Sequence, residues 1–361
     1  MDRSFEDRSS GTRVTLSGVQ VLRFVAAGGV AAFHAFEFAA RDIAALPERL
    51  LDLTNLGAVG VHIFFVISGF IMMWTSRARF GRAGQAAPFL VRRAVRIFPV
   101  YWVIALFNLP LLIAYGLGGA DTASAVLRAL VLWPSDASGL IFVGWTLSYE
   151  LYFYVLFAGV LALSARRALA VLSALMVGLV ALGALGAPTG EAARLATNPL
   201  LLEFLAGAVI GLYFMEGGRL PKPLALIALG AGTAAILATA FVSGDLPLLI
   251  VWGGPSVLIV AGTVGLDVAG RFPSRLGRLT PLGDSSYALY LVHAVILPPM
   301  TLMIGSNFET GAIGCFVIAS ALTVLCIAAG HLVHRTVERP LLDLCRPERL
   351  TRLVIRPASA V

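Results

Sequence analysis

Charge is what this sequence has least of. Only 13% of its 361 residues are Asp, Glu, Lys or Arg, against 58% apolar, and soluble domains carry about twice that charged share. Cysteine is scarce too. Cys315, Cys326 and Cys345 have neither metal nor redox spacing, and the first two sit in an apolar helix as small packing residues, so no disulfide framework is implied. No internal repeat, low-complexity tract or long linker interrupts the chain. The net charge of +7 does not point to nucleic acid, because the basic residues stand in short loops between apolar runs, where cytoplasmic loops carry them.

What is abundant is apolar sequence in long runs. The composition is that of an all-α polytopic membrane protein, one integrated bundle of about ten transmembrane helices in contact with the lipid bilayer. A span needs about 20 residues to cross about 30 Å of hydrocarbon. Ten candidates are predicted, at 16–38, 55–74, 97–118, 142–163, 168–187, 198–215, 222–241, 246–266, 284–304 and 311–334. The first is too long for a signal h-region and carries Arg23 and His34, so it reads as a retained span. The expected division is an N-terminal cytoplasmic tail over 1–15, a membrane domain over 16–338 and a cytoplasmic tail over 339–361.

Charge placement supports that count. With both termini in the cytoplasm, 22 of the 27 Lys and Arg residues fall on the cytoplasmic side. Only Arg41, Arg49, Arg128 and Arg194 fall on the outer side, and Arg23 lies within a span. That asymmetry is the positive-inside pattern. Residues 119–141, with LRALVLW, are expected as a re-entrant or surface helix, since a further full span there would invert everything after it. GAVIG at 207–211 fits a small-residue helix contact.

The ionisable residues inside the spans are the candidates for function, because bilayers penalise them and they usually face a protein interior or a watery cavity. Arg23 and His34 lie eleven positions apart, on one face and about 16 Å apart in depth. Glu37 is one turn beyond His34, near enough to interact with it, although an interface position also explains it. His62 and Ser68 stand among aromatics in GAVGVHIFFVISGFIMMW, where Gly60 and Gly69 permit close approach; a packed span explains them equally. Arg92, Arg93 and Arg96 precede the third span in FLVRRAVRIFPVYWV, with Pro99 starting or kinking the helix. Anchoring at the membrane surface accounts for such a cluster, and so does phosphate binding by guanidinium forks. Glu150 in VGWTLSYELYFYVLF needs a partner or a proton, and Trp145, Tyr149, Tyr152 and Tyr154 around it fit an interfacial belt. In LGDSSYALYLVHAVI, Asp284 and Ser285 are a candidate N-cap, and Tyr287 and His293 extend a polar path or simply pack. His331 and His334 lack a third ligand, so no metal is expected. Pro340 in VERP is expected to stop the last helix.

Taken in order, LRFVAAGGVAAFH, GVHIFFVISGF, RRAVRIFPVY, WTLSYELYFY, SSYALYLVH and VERP resemble the membrane acyltransferase 3 family, bacterial O-acyltransferases that modify exopolysaccharides, O-antigens and other envelope or secreted molecules. The resemblance covers nearly the whole chain. It implies about ten spans in the bacterial inner membrane, with acyl-CoA, by default acetyl-CoA, as donor substrate and no permanently bound cofactor. It implies transfer to a hydroxyl of a carbohydrate such as an exopolysaccharide or lipid-linked sugar, with polysaccharide-synthesis machinery as a further partner. It makes His34 catalytic and Arg23, Arg92, Arg93 and Arg96 functional, and it puts Glu150 at the family's carboxylate position. One departure is His62, where the family often has an acid. The esterase-like domain that often follows is not expected, since about 25 residues follow the last span.

The chemistry expected is therefore a trans-bilayer acylation. CoA phosphates dock on the cytoplasmic arginines, and the pantetheine arm threads toward His34, whose imidazole suits a general base at neutral pH. Glu150, in preference to Glu37, orients that ring, and an acyl-His intermediate stays open. A proton-coupled carrier of a sugar or lipid precursor would also use buried His, Glu and Arg, but no inverted repeat accompanies them. A scaffold protein would tolerate their loss.

Overall fold

The apolar runs do become helices. The computed structural model describes residues 4–6, 13–114, 122–134, 139–241 and 247–345. A short antiparallel ribbon, β1 (Ser4–Glu6) with β2 (Arg13–Thr15), leads into α1 (Ser17–Asp42), α2 (Glu48–Asn55), α3 (Val59–Thr75), α4 (Ala86–Ala114), α5 (Thr122–Leu130) and α6 (Gly144–Val160). Then come α7 (Ala165–Gly186), α8 (Glu191–Ala196), α9 (Leu201–Met215) and α10 (Lys222–Thr239). A π-helical turn at Leu249–Gly253 opens α11 (Gly254–Val268), followed by α12 (Ser274–Gly277), α13 (Thr280–Asp284) and α14 (Ser286–Asn307). The last helix is α15 (Ala312–Val333), a π turn at His334–Glu338, and α16 (Arg339–Leu344). The expected tails beyond residue 345, most of residues 1–12 and the end of the third span after 114 lie outside the described residues.

Nine helices among the described residues are long and apolar enough to cross a membrane. The expected fourth span, 142–163, is the 17-residue α6, about 26 Å long, just short of the others and within the range that spans a bilayer. The chain is thus an all-α polytopic membrane bundle. Several boundaries differ from expectation. The third span starts at Ala86, so Arg92, Arg93 and Arg96 lie inside α4, and Pro99 and Pro110 are interior to it; neighbouring helices can satisfy backbone groups that a membrane proline frees. The last helix does not stop at Pro340 but absorbs it through the π turn and continues to Leu344. Ser285 and Asp284 give α14 no side-chain cap; Ser285 Oγ donates to the Leu282 carbonyl at 2.9 Å instead. The 119–141 region contains the short α5, far too short to cross. It is tied to α4 through Tyr101 OH and Trp102 Nε1, which donate to the Ala129 and Leu130 carbonyls at 2.7 and 2.8 Å.

Small residues set the packing. Ala27, Ala31 and Ala35 form a fully buried stripe on α1 at i, i+4, i+8, and Leu289, Leu297, Leu322 and Cys326 of α14 and α15 close over it. On α3 and α9, a Cβ on Gly69 would overlap the Phe204 carbonyl, and one on Gly207 would overlap that of Val66. The GAVIG stretch is thus the close helix contact its spacing suggested. The start of α1 is held from across the bundle. The buried Asp267 carboxylate at the end of α11 accepts from Gly18 N at 2.8 Å and Val19 N at 2.9 Å, two of the amides a helix N-terminus leaves unsatisfied.

Candidate active site

Two cavities flank α6, and the helical period assigns its residues between them. Thr146, Leu147, Glu150 and Tyr154 line one cavity of about 910 Å³. Trp145, Ser148 and Tyr149 line the other, of about 480 Å³. The larger opens among Arg79, Arg92, Arg339 and Asp343, at the end of the bundle where the basic loops gather. Phe64, Thr146 and Tyr290 line it too, and Thr146 Oγ1 and Tyr290 OH lie 2.9 Å apart. Arg23, Arg93 and Arg96 also face this cavity. The four arginines named by the sequence come together here.

They are not equivalent. Arg96 pairs with Glu338, which is fully buried, and His334 Nδ1 sits 2.7 Å from the other carboxylate oxygen. The guanidinium also lies over the Tyr287 ring, 5.4 Å from its centroid, while Tyr287 OH donates to the Ile97 carbonyl at 2.8 Å. Arg96 therefore ties α4 to the π turn after α15. Arg93 lies against the rings of Phe89 and Tyr154 at 5.4 and 5.8 Å and makes a long 3.5 Å contact with Thr75 Oγ1. Its Nε, and one terminal nitrogen of Arg92, are buried without a hydrogen-bond partner, an arrangement that costs free energy until an acceptor arrives. In the loop that follows α3, Arg79 donates to the Thr75 carbonyl at 2.9 Å. Burial and then the neighbouring Arg93 charge push its ionisation below the ordinary guanidinium range, so this corner holds more positive charge than its protein surroundings compensate.

His34 and His293 form a pair that lines neither of these two cavities. Their rings stack at 5.3 Å between centroids, and His293 Nε2 is 3.2 Å from His34 Nδ1. His293 Nδ1 lies 3.1 Å from the Leu289 carbonyl, which can only accept. In the neutral ring the proton is then on Nδ1 of His293, and its bare Nε2 accepts from Nδ1–H of His34. By this hydrogen-bond network the lone pair of His34 resides on Nε2, the atom a general base needs. Phe33, Phe38 and Phe142 surround the His34 ring, with Phe142 edge-on at 4.9 Å. Tyr290, which lines the large cavity, lies 5.6 Å from His293 between ring centroids.

Neither carboxylate expected to orient His34 does so among the described residues. Glu150 accepts from Ser68 Oγ at 2.8 Å and from Tyr154 OH through the same oxygen. Glu37 is exposed on α1. The polar path through His62 and Tyr149 is also different. His62 is buried, with Nδ1 2.6 Å from Oε1 of Glu203, a residue 1% exposed on α9, and its ring meets Trp252 edge-on. The π-helical turn brings Gly253 so near that a Cβ there would lie 2.6 Å from that carboxylate oxygen. The acid that the second segment lacks is thus supplied by another helix. Tyr149 faces the smaller cavity, while Ser68, Tyr287 and Tyr290 face the larger. Sequence reasoning missed Glu203, Glu338 and Asp267 as partners, although each is an acid inside or at the edge of an apolar run, which is signal enough to ask what it pairs with. It also missed Phe142, which carries no signal outside the fold, and Arg339, which stands in the VERP segment and reads there only as part of a helix stop.

Comparison with known proteins agrees with this architecture. A family model described as an acyltransferase domain matches residues 16–331. The exopolysaccharide production protein ExoZ of Rhizobium meliloti (strain 1021) is 36% identical, over 82% of this chain and 93% of its own. The acyltransferase MdmB of Streptomyces mycarofaciens is 26% identical over 96% of each chain, and nodulation protein 10 of Rhizobium leguminosarum bv. viciae is 28% identical over 81% of this chain and 84% of its own. No solved structure matches. With the match spanning every helix from α1 into α15, the chain belongs to the membrane acyltransferase 3 family and is a membrane-embedded acyltransferase.

Proposed function

We propose that this enzyme takes an acyl group, by default acetyl, from acyl-CoA bound on the cytoplasmic side and transfers it to a carbohydrate hydroxyl on the opposite side, with His34 as general base. The observation that carries the reading is the large cavity. Its lining joins arginines with unsatisfied donors to Tyr290, whose ring meets His293 of the His293–His34 pair. A polyanion with a long thin thioester arm fits such a channel. Its phosphates engage Arg92, Arg93, Arg79 and Arg339, each charge-assisted bond contributing about 1.5–3 kcal/mol. Arg96 holds Glu338 in place and shapes the wall, and Arg23 offsets negative charge deeper in. Glu150, Ser68 and Tyr154 form a hydrogen-bonded polar side to the passage.

In this reading the thioester passes Tyr290 to reach His34, and Nε2 of His34 removes the hydroxyl proton as the oxygen attacks the thioester carbonyl. The new C–O bond forms and the carbonyl electrons pass to oxygen. When they return, the C–S bond breaks, and the thiolate leaves as CoA, protonated by the His34 imidazolium. His293 holds the tautomer throughout. The carbohydrate acceptor is suggested by ExoZ, and the exclusion of a carrier follows from family membership. The termini lie in the cytoplasm in this reading, with tails at 1–15 and 339–361 and the membrane domain between them, and the bacterial inner membrane is the expected location.

The test is consumption of acetyl-CoA by the purified full chain in detergent, together with mass spectrometry of surface glycans from cells with and without the protein. His34→Ala and His34→Gln are expected to abolish transfer with insertion intact, and full activity in both would remove the mechanism.

A further inference from the structure

We propose that the smaller cavity is the acceptor subsite, that it takes one neutral pyranose ring, and that Phe142 is the floor through which it communicates with His34. This rests on the acyltransferase reading above and adds the place and chemistry of the second substrate.

The two cavities differ in charge. The larger gathers six arginines, from Arg23 to Arg339, against Glu150, Asp284 and Asp343. The smaller holds one acid and one base, Glu191 and Arg194, already paired with each other at 2.9 Å. A cationic chamber selects a polyanion. A charge-balanced one selects a neutral ligand that both accepts and donates hydrogen bonds, as a sugar hydroxyl does. Trp133, Trp145 and Tyr149 supply ring surface in the same cavity, Trp145 meeting Tyr149 edge-on at 5.8 Å. Aromatic faces carry apolar area with a polar edge, which matches the C–H face and hydroxyl rim of a pyranose. Trp133 and Trp145 are about half exposed, as belt residues are, and the same rings line a concavity with an ion pair in it. The volume of about 480 Å³ has room for one pyranose ring and lies within the range of small-ligand sites.

Position completes the case. The cavity lies at the end of the bundle opposite the basic loops, between α5, the start of α6 and α8. Phe142 lines it and lies edge-on to His34 at 4.9 Å and to His293 at 6.0 Å. Phe142 thus joins the smaller cavity to the proposed base, and Tyr290, which lines the larger one, meets His293 of the same pair.

The experiment uses the purified full chain in detergent, with methyl β-glucopyranoside, methyl β-galactopyranoside and their β-linked di- to tetrasaccharides as probes. Tryptophan emission, acetyl transfer to the probe and sugar-independent acetyl-CoA hydrolysis are read in parallel. A saturable emission change is expected, weakened at least tenfold in Trp145→Ala and in Trp133→Ala, with donor KM within twofold of the parent. Trp145→Phe, which keeps a ring, is expected to recover most of the loss, and Glu191→Gln to weaken sugar binding without touching the aromatics. No saturable response to any probe, or unchanged sugar affinity in both tryptophan variants, overturns the subsite. Sugar binding that depends on Trp145 in a protein that never consumes acetyl-CoA upholds the subsite and overturns the reaction. Transfer to the probe with an unaltered acceptor KM in both variants does the reverse.

Discussion

Replacing His293 separates two ways of activating His34. A carboxylate behind a catalytic imidazole stabilises the imidazolium that forms, and its loss costs about 10⁴ in rate. The partner here is a neutral imidazole fixed by the Leu289 carbonyl, and it makes one bond to His34, 3.2 Å long, at the outer limit of ordinary hydrogen-bond lengths. A single neutral bond contributes about 0.5–1.5 kcal/mol, which at about 1.4 kcal/mol per decade is a loss of about 2- to 13-fold. His293→Ala is therefore expected to lower kcat by about that factor. His293→Gln, whose amide oxygen can accept from His34 Nδ1–H near the position of Nε2, is expected to stay within about threefold of the parent on the same energetic scale. Steady-state acetyl-CoA consumption in detergent measures both, and thermal unfolding followed by circular dichroism separates them from loss of fold. In each variant the rate should fall as pH is lowered, because protonated His34 has no lone pair on Nε2. A loss of a thousandfold or more in folded His293→Ala, unrelieved by Gln, would refute the argument and make His293 a proton carrier in its own right. No loss at all would sever the bond from catalysis.

Phe142→Ala should raise acetyl-CoA hydrolysis several-fold in the absence of acceptor, because it opens the path for water from the smaller cavity to His34; unchanged hydrolysis would show that the ring is not a barrier. Arg92→Ala combined with Arg93→Ala should raise donor KM by about tenfold or more per arginine, from about 1.5–3 kcal/mol for each charge-assisted bond, with kcat little changed; an unaltered KM would reduce both to membrane anchors. Arg96→Ala should act on stability instead, since it strands the buried Glu338, a loss of about 3–5 kcal/mol read as a lower melting temperature in detergent, and restored stability in Arg96→Ala with Glu338→Gln would confirm the cause. Asp267→Ala should cost about 2 kcal/mol by analogy with the loss of a helix cap, because Gly18 N and Val19 N lose their acceptor.

Much of the fold was legible because lipid imposes a length and a polarity on each span. GAVIG became the α3–α9 contact, and the 16–38 run became α1 with its alanine stripe toward α14 and α15. Boundaries slipped where local rules met tertiary compensation. Pro99, read as starting or kinking its helix, lies inside α4, and Pro340, read as a stop, is absorbed by a π turn. The site was legible as residue types but not as pairs. His34 and His293 are 259 positions apart, Arg96 and Glu338 242, and His62 and Glu203 141, and no periodicity within a helix reports on a partner in another.

The sequence by itself determined that this is a bundle of membrane helices, which end carries the cations, and which six segments mark it as an acyltransferase, because hydropathy, charge count and motif are properties of the chain in order. Only the tertiary structure decided that His34 leans on another histidine and not on Glu150, that Arg96 is already occupied while Arg92 and Arg93 hold open donors, and that α6 divides two chambers of unlike charge. Those are consequences of which helix faces meet. Helix packing brings distant residues to bonding distance, and in a medium that solvates no polar group the geometry of that meeting fixes which of them are satisfied by the protein and which wait for a substrate.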